Sequence, residues 1–189
     1  MRWRRRCAKP VAGPGNRPIR RGVAGIPAAP FSGFSRPAAA LNFSRQEQEF
    51  PVTTAQQTAR ATIQAYYDAF NAGDTDAMGD CLHEDFVHHV NEGDARMGKA
   101  AFAEFCAHMS ETYKERLTDM VVYGSDDGTR GAAEFVVNGT YLKTDPGLPE
   151  AHGQTYVLPA GGFFSLKDGK ITRVTTYYNL QDWIRQVSA

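Results

Sequence analysis

The sequence predicts an α+β domain in which helices pack on one face of a strongly bent, mixed or antiparallel sheet. Two observations carry that prediction. Up to about residue 115, most apolar residues recur at helical spacing, and beyond it the period changes to two. The period-two runs are joined by turn signals at Asp126-Asp127-Gly128, in "DPGLPEAHG", and at Lys167-Asp168-Gly169, as in a meander. A bent sheet closed at one end by helices leaves a concave apolar pocket at the other.

The elements follow in order. In "TAQQTARATIQAYYDAFNAGD", Thr53 or Thr54 serves as N-cap and Asn71-Ala72-Gly73 as C-cap signal. Ile63, Tyr66, Tyr67 and Phe70 form the buried stripe of this helix. "DTDAMGDCL" is a short second helix capped by Asp74, and "DFVHHV" reads as a strand. "GKAAFAEFCAHMSETYKE" is a third helix with Phe102, Phe105, Cys106 and Met109 on one face. Four strands come next: "LTDMVVYGSDDGT", "RGAAEFVVNGTYLKT", "QTYVLPAGGFFSLKDG" and "KITRVTTYYN". "LQDWIRQVS" closes the chain as an amphipathic turn or two.

Adjacent histidines in "FVHHVNEG" raise the question of chemistry. On a strand, successive side chains point to opposite faces, so His88 and His89 cannot hold one metal from the same side. No HExxH motif occurs, and no metal site is expected. His83 falls at a helix-to-strand turn, His108 on a helix and His152 in a loop. Phe86, His88 and Val90 share the more apolar face. His88 would stay neutral there near pH 7 and serve as a general base or as a hydrogen-bond donor to a carbonyl. The same placement also suits a core histidine bonded to a tyrosine or to the backbone. Gly161-Gly162 lies inside a strand and opens no helix, so it marks a bulge or close backbone approach rather than a phosphate loop. No cofactor is expected.

The chain has 189 residues and no formal net charge, but the charge is split. Residues 1–46 hold nine arginines, Lys9 and no acid, leaving the remainder at −10. An acidic body argues against nucleic acid as partner. Residues 1–50 form a Pro-, Gly-, Ala- and Arg-rich segment expected to be disordered, and residues 51–189 form the domain. That basic segment suits an organellar transit peptide or an upstream extension, with "RRGVAGI" as an export signal a third option. Cytoplasmic location is expected, or an organellar matrix if the segment is a transit peptide. Three cysteines without a CxxC pair suit a reducing compartment. No apolar run reaches the ~18 residues of a membrane span, so no membrane is expected as partner.

With these motifs placed, the chain resembles the ketosteroid isomerase-related and SnoaL-like families of the nuclear transport factor 2-like superfamily. "AYYDAFNAGDTDAM", "FVHHVNEGDARMGKAAFAEF" and "GQTYVLPAGGFFSLKDGKITRVTTYYNLQDW" carry the resemblance, which covers about residues 55–187. It implies a cone-shaped barrel in which three N-terminal helices cover a pocket for a small apolar molecule, with homodimerisation through the convex sheet face. The family's oxyanion-hole tyrosine falls on Tyr66. Its proton-moving aspartate falls on Val90, its neutral acid on Gly161, and the cyclases' acid/base aspartate on Asn179.

The resemblance implies an oxyanion-donor role for Tyr66 and places His88, the candidate base or polariser, in the same cavity, while the residues lack the carboxylates of both family mechanisms. It implies a ligand lining of Val90, Phe135, Val137, Pro159, Gly161, Thr176, Tyr178 and Asn179, with Val174 beside them. Glu134 and Asn138 would lie on the convex face. The implied activity is that of an isomerase, cyclase or hydratase on a carbonyl compound. The alternative is a non-catalytic dimeric module that binds a small ligand or holds an interface.

Overall fold

The computed structural model describes residues 52–189; the basic segment expected at residues 1–50 lies outside them. Helix α1 spans Thr54–Ala72. The Thr53 hydroxyl accepts from the Gln56 amide at its start, and Gly73, at φ +71°, ends it. Helix α2, Thr75–Asp80, is capped by the Asp74 carboxylate, which accepts from the Ala77 amide. Strand β1 (Leu82–Val90) and the two-residue β2 (Arg96–Met97) follow. Helix α3 is Gly98–Thr112. Strands β3 (Tyr113–Gly124), β4 (Arg130–Tyr141), β5 (Thr155–Lys167) and β6 (Lys170–Tyr178) lead to α4 (Leu180–Val187), which Asn179 caps.

The α+β class holds, with three corrections. The sheet runs β2-β1-β6-β5-β4-β3 with β1 and β6 parallel, so it is mixed and open at β2 and β3 rather than closed into a barrel. Strand β1 begins at Leu82, so His83 stands on a strand and not at a turn. Helix α3 stops three residues early, because Tyr113, Glu115 and Leu117 already alternate with Lys114 and Arg116 as the first residues of β3.

Register shifts between Leu82 and Val87, Thr118 and Val121, and Ser165 and Leu166 interrupt three of the ladders, the irregularities that bend a sheet. The inner face carries Phe86, Ala133, Phe135, Leu158, Phe164, Ile171 and Val174, which pack with Ile63, Tyr66 and Tyr67 of α1 and Phe102 of α3. Asn71 fastens α1 to β3: its Nδ2 donates to the Leu117 carbonyl at 3.0 Å, and its Oδ1 accepts from the Leu117 amide at 2.8 Å.

Candidate functional site

Burial along the inner face separates a sealed end from an open one. Leu82, Phe86, Leu166 and Ile171 are buried, whereas Val90, Phe105, Tyr113, Glu115, Thr176 and Tyr178 are half-buried. Inward-pointing side chains that keep contact with solvent mark where a concave face can be reached.

His88, 3% exposed, stands where the two parts meet, between sealed Phe86 and half-buried Val90 on β1, with the Phe105, Phe102 and Phe86 ring centroids 4.8, 5.1 and 6.3 Å away. Its Nδ1 is buried without a partner among the described residues. Burial, helped by the charge of Arg96, lowers its pKa from 6.5 to about 4. The ring is therefore neutral at pH 7, as expected for an apolar site, and too weak a base to lead proton abstraction there. Tyr66 is also buried, and burial raises its pKa well above the ordinary phenol value. Phe102 contacts both rings, 6.3 Å from Tyr66 and 5.1 Å from His88, so the two expected catalytic residues share one aromatic neighbour.

The expected lining divides in two. Phe135 and Val137 are buried on the inner face, and Val90 pairs with Thr176 there. Tyr178 pairs with Ala160 on that face, beside Phe135. Pro159 and Gly161 are a correction. They pair with Val136 and Glu134, so both belong to the outer face. Gly162 is the inward glycine: a β-carbon there would lie 2.4 Å from the Tyr67 hydroxyl, the close approach that the glycine pair signals. Asn179 is exposed as the cap of α4, where its Oδ1 accepts from the Asp182 amide. Together with Val90, Asn91, Gly93, Tyr178 and Leu180 it borders an open cleft of about 560 Å³. A second groove, about 420 Å³, runs outside α1 along Arg60, Gln64 and Met120 and touches no expected site residue.

Sequence reasoning missed a polar cluster at the open end. The Tyr156 hydroxyl donates to Glu115 Oε1 at 2.5 Å. Burial raises the Glu115 carboxyl above the usual range, partly offset by that hydrogen bond. Beside this pair, the Tyr113 hydroxyl donates to Asp145 Oδ2 at 2.9 Å, and His108 Nε2 lies 3.2 Å from the same carboxylate. The Asp145 amide donates to the Tyr141 hydroxyl at 2.7 Å. Trp183 of α4 stands edge-on to Tyr141, Tyr156 and Tyr113, with centroids 5.0, 5.9 and 6.0 Å away. The sequence signal was the alternation beginning at Tyr113, hidden because charged residues after a helical run read as the helix's exposed tail. Among the described residues no group of three His, Cys, Asp or Glu could hold a metal ion.

Residues 63–174, inner strands included, match the model of the SnoaL-like domain. The chain belongs to the SnoaL-like family. A protein from Silicibacter sp. TM1040, provisionally named a polyketide cyclase, shares 67% identity over 71% of this chain and 98% of its own, with a TM-score of 0.69. One from Xanthomonas campestris pv. campestris with the same provisional name shares 56% identity over 71% and 99%, also at 0.69. A phenazine biosynthesis-related protein from Pseudomonas aeruginosa, at 23% identity over 71% and 87% with a TM-score of 0.60, shares the fold. No curated protein matches the chain. Of the positions that the resemblance assigns, Tyr66 and Val90 lie on the inner side of the sheet, Gly161 on its outer face and Asn179 at the cap of α4. Among the described residues, no helix is long and apolar enough to cross a membrane.

Proposed function

We propose that this SnoaL-like chain is an acid/base catalyst of the cyclase or isomerase kind, acting on a small, largely apolar carbonyl compound held against the concave face. The observation that carries the reading is His88: a neutral imidazole enclosed by three aromatic rings, with a ring nitrogen left without a partner. A buried polar atom with no partner costs about 1–3 kcal/mol, a cost that a ligand carbonyl or hydroxyl would offset. In this reading His88 holds and polarises the ligand, while Tyr66 serves as a second hydrogen-bonding group. Val90, Phe135, Val137, Thr176 and Tyr178 supply the lining. The provisional cyclase name of the two nearer relatives fits a carbonyl substrate. In such a cyclisation a carbon next to one carbonyl loses a proton, attacks a second carbonyl, and the resulting alkoxide takes a proton up, with no change in composition.

The outer face supports a homodimer as the working form. Val157, Phe163 and Tyr177 are 55, 52 and 47% exposed there, on neighbouring strands. A set of large apolar side chains this open to water is suited to a second copy.

A thermal-shift screen of the full chain against hydrophobic ketones, phenols and lactones, run beside His88→Gln, tests the reading. A ligand at 100 times its Kd stabilises by about 2.7 kcal/mol. Hits are expected with the wild type and are expected to weaken at least tenfold with His88→Gln. Hits that survive the substitution unchanged would remove His88 from the site, and a stable chain with no hits would favour the non-catalytic interface module.

A further inference from the structure

Glu115 is a carboxylate that a purely structural role does not explain. It points to the inner face between Tyr113 and Leu117, in the row Glu115–Gly139–Tyr156 across β3, β4 and β5. Gly139 is what brings the pair together. A β-carbon there would lie 2.1–2.5 Å from the Tyr156 ring and hydroxyl, so only glycine lets that ring lie across β4 and reach Glu115 Oε1. Among the described residues no cation pairs with Glu115, and Oε2 accepts no hydrogen bond. Nor does Oε2 stand among the sealed, unpartnered atoms, so it keeps contact with solvent on the inner side of the half-buried residue. Half-burying an unpaired carboxyl is costly, and glutamine would keep the tyrosine contact without that cost.

We infer that Glu115 is the proton-moving carboxylate of this concavity, positioned by Tyr156 through Oε1 and presenting Oε2 to an acidic C–H of a planar, uncharged ketone. The inference rests on the carbonyl-compound reading above. Tyr113, Tyr156, Tyr178 and Trp183 give this end an aromatic character suited to a flat substrate, and a carboxylate disfavours an anionic one. Oε2 takes the proton from the carbon next to the carbonyl. The C–H electron pair becomes the enolate double bond, with the negative charge on oxygen, where the Tyr178 hydroxyl can donate. The protonated Glu115 then returns the proton to carbon, and no other reactant is consumed. The titratable groups facing Glu115 are Tyr156 of β5 and Tyr178 of β6, with Tyr113 and Asp145 next outward.

The test uses the full chain and 2-indanone in D2O, with loss of its α-protons followed by NMR and its binding by thermal shift. The wild type is expected to bind the ketone and to exchange its protons faster than buffer. Glu115→Gln is expected to lose at least about 100-fold of that rate while the ketone still binds. Tyr156→Phe is expected to move the midpoint of the pH–rate profile upward, because it removes a hydrogen bond that favours the charged carboxylate. A wild-type rate in Glu115→Gln overturns the assignment and leaves the carbonyl reading standing. A wild type that neither binds nor exchanges the ketone overturns both. Should Glu115→Gln not fold, Glu115→Asp is the substitute: a slower rate with the pH profile retained supports the role, and an unchanged rate overturns it.

Discussion

The Tyr67 hydroxyl occupies the space that a β-carbon on Gly162 would need, 2.4 Å from it. That hydroxyl is also buried without a hydrogen-bond partner among the described residues. One contact thus couples a residue of α1 to the middle of β5. Gly162→Ala is expected to destabilise the domain by about 1–3 kcal/mol through overpacking. Tyr67→Phe removes an unsatisfied hydroxyl and is expected to be neutral or stabilising by about 1 kcal/mol. The double variant should recover most of the loss, a non-additivity that denaturant melts of all four proteins would measure. Additive effects would show that the contact does not limit the packing.

His88 makes stability depend on pH in a defined direction. Its pKa falls from 6.5 to about 4 on folding, so the unfolded chain binds this proton more readily than the folded one. The neutral ring's contribution is present above pH 6.5 and is lost as pH falls through about 4. The full loss is roughly 3 kcal/mol. Unfolding free energies measured from pH 7 to 4 should fall less steeply for His88→Gln than for the wild type. Parallel slopes would show that the ring accepts a proton in the folded state as easily as in water.

Asn71 satisfies both backbone groups of Leu117 from the end of α1. Asn71→Ala leaves a half-buried N–H and C=O on edge strand β3 without partners and is expected to cost about 2 kcal/mol. The predicted signature in hydrogen exchange is faster exchange at the Leu117 amide, with the β5 and β6 amides less affected. Unchanged protection at Leu117 would count against the fastening role.

The proposed dimer gives a direct expectation for the outer face. Phe163 and Tyr177 lie 6.0 Å apart between ring centroids, edge to face and half exposed. Phe163→Asp with Tyr177→Asp should convert a dimer to a monomer in sedimentation equilibrium while the circular dichroism spectrum stays the same. A wild type that sediments as a monomer at high concentration would end the proposal.

Much of the fold was legible in local signals, because caps and tight turns are short-range chemistry. Thr53, Asp74 and Gly73 act at the helix ends their residue types suggest, and Asp168-Gly169 makes the last hairpin with both residues at positive φ. The parallel pairing of β1 with β6 left no such mark, since a period of two carries no strand direction. The resemblance implies Pro159 and Gly161 as pocket lining, and alternation along β5 offers no check on that register. Outer-face Val157 and Phe163 are as apolar as inner-face Leu158 and Phe164, so alternation fixed the period of β5 and not its phase. Tyr67 decides the phase by needing a residue without a β-carbon at Gly162. Glu115 escaped notice because an acid is read as solvated unless its partner is visible, and Tyr156 comes from a strand 41 positions away.

The β1–β6 pairing also has a consequence for how the chain is made. Strand β1 ends at Val90 and its long partner begins at Lys170, while the neighbour on its other side is only Arg96–Met97. At 5–20 residues per second, the ribosome needs roughly 4–16 s to cover the interval. Through that time the nascent segment Phe86–Val90, apolar on one face and rich in backbone donors and acceptors, has almost no edge to bond to. Such an edge invites pairing with another nascent chain. The window of greatest exposure to aggregation, and of greatest need for a chaperone, therefore opens when β1 leaves the ribosome and closes only when β6 does.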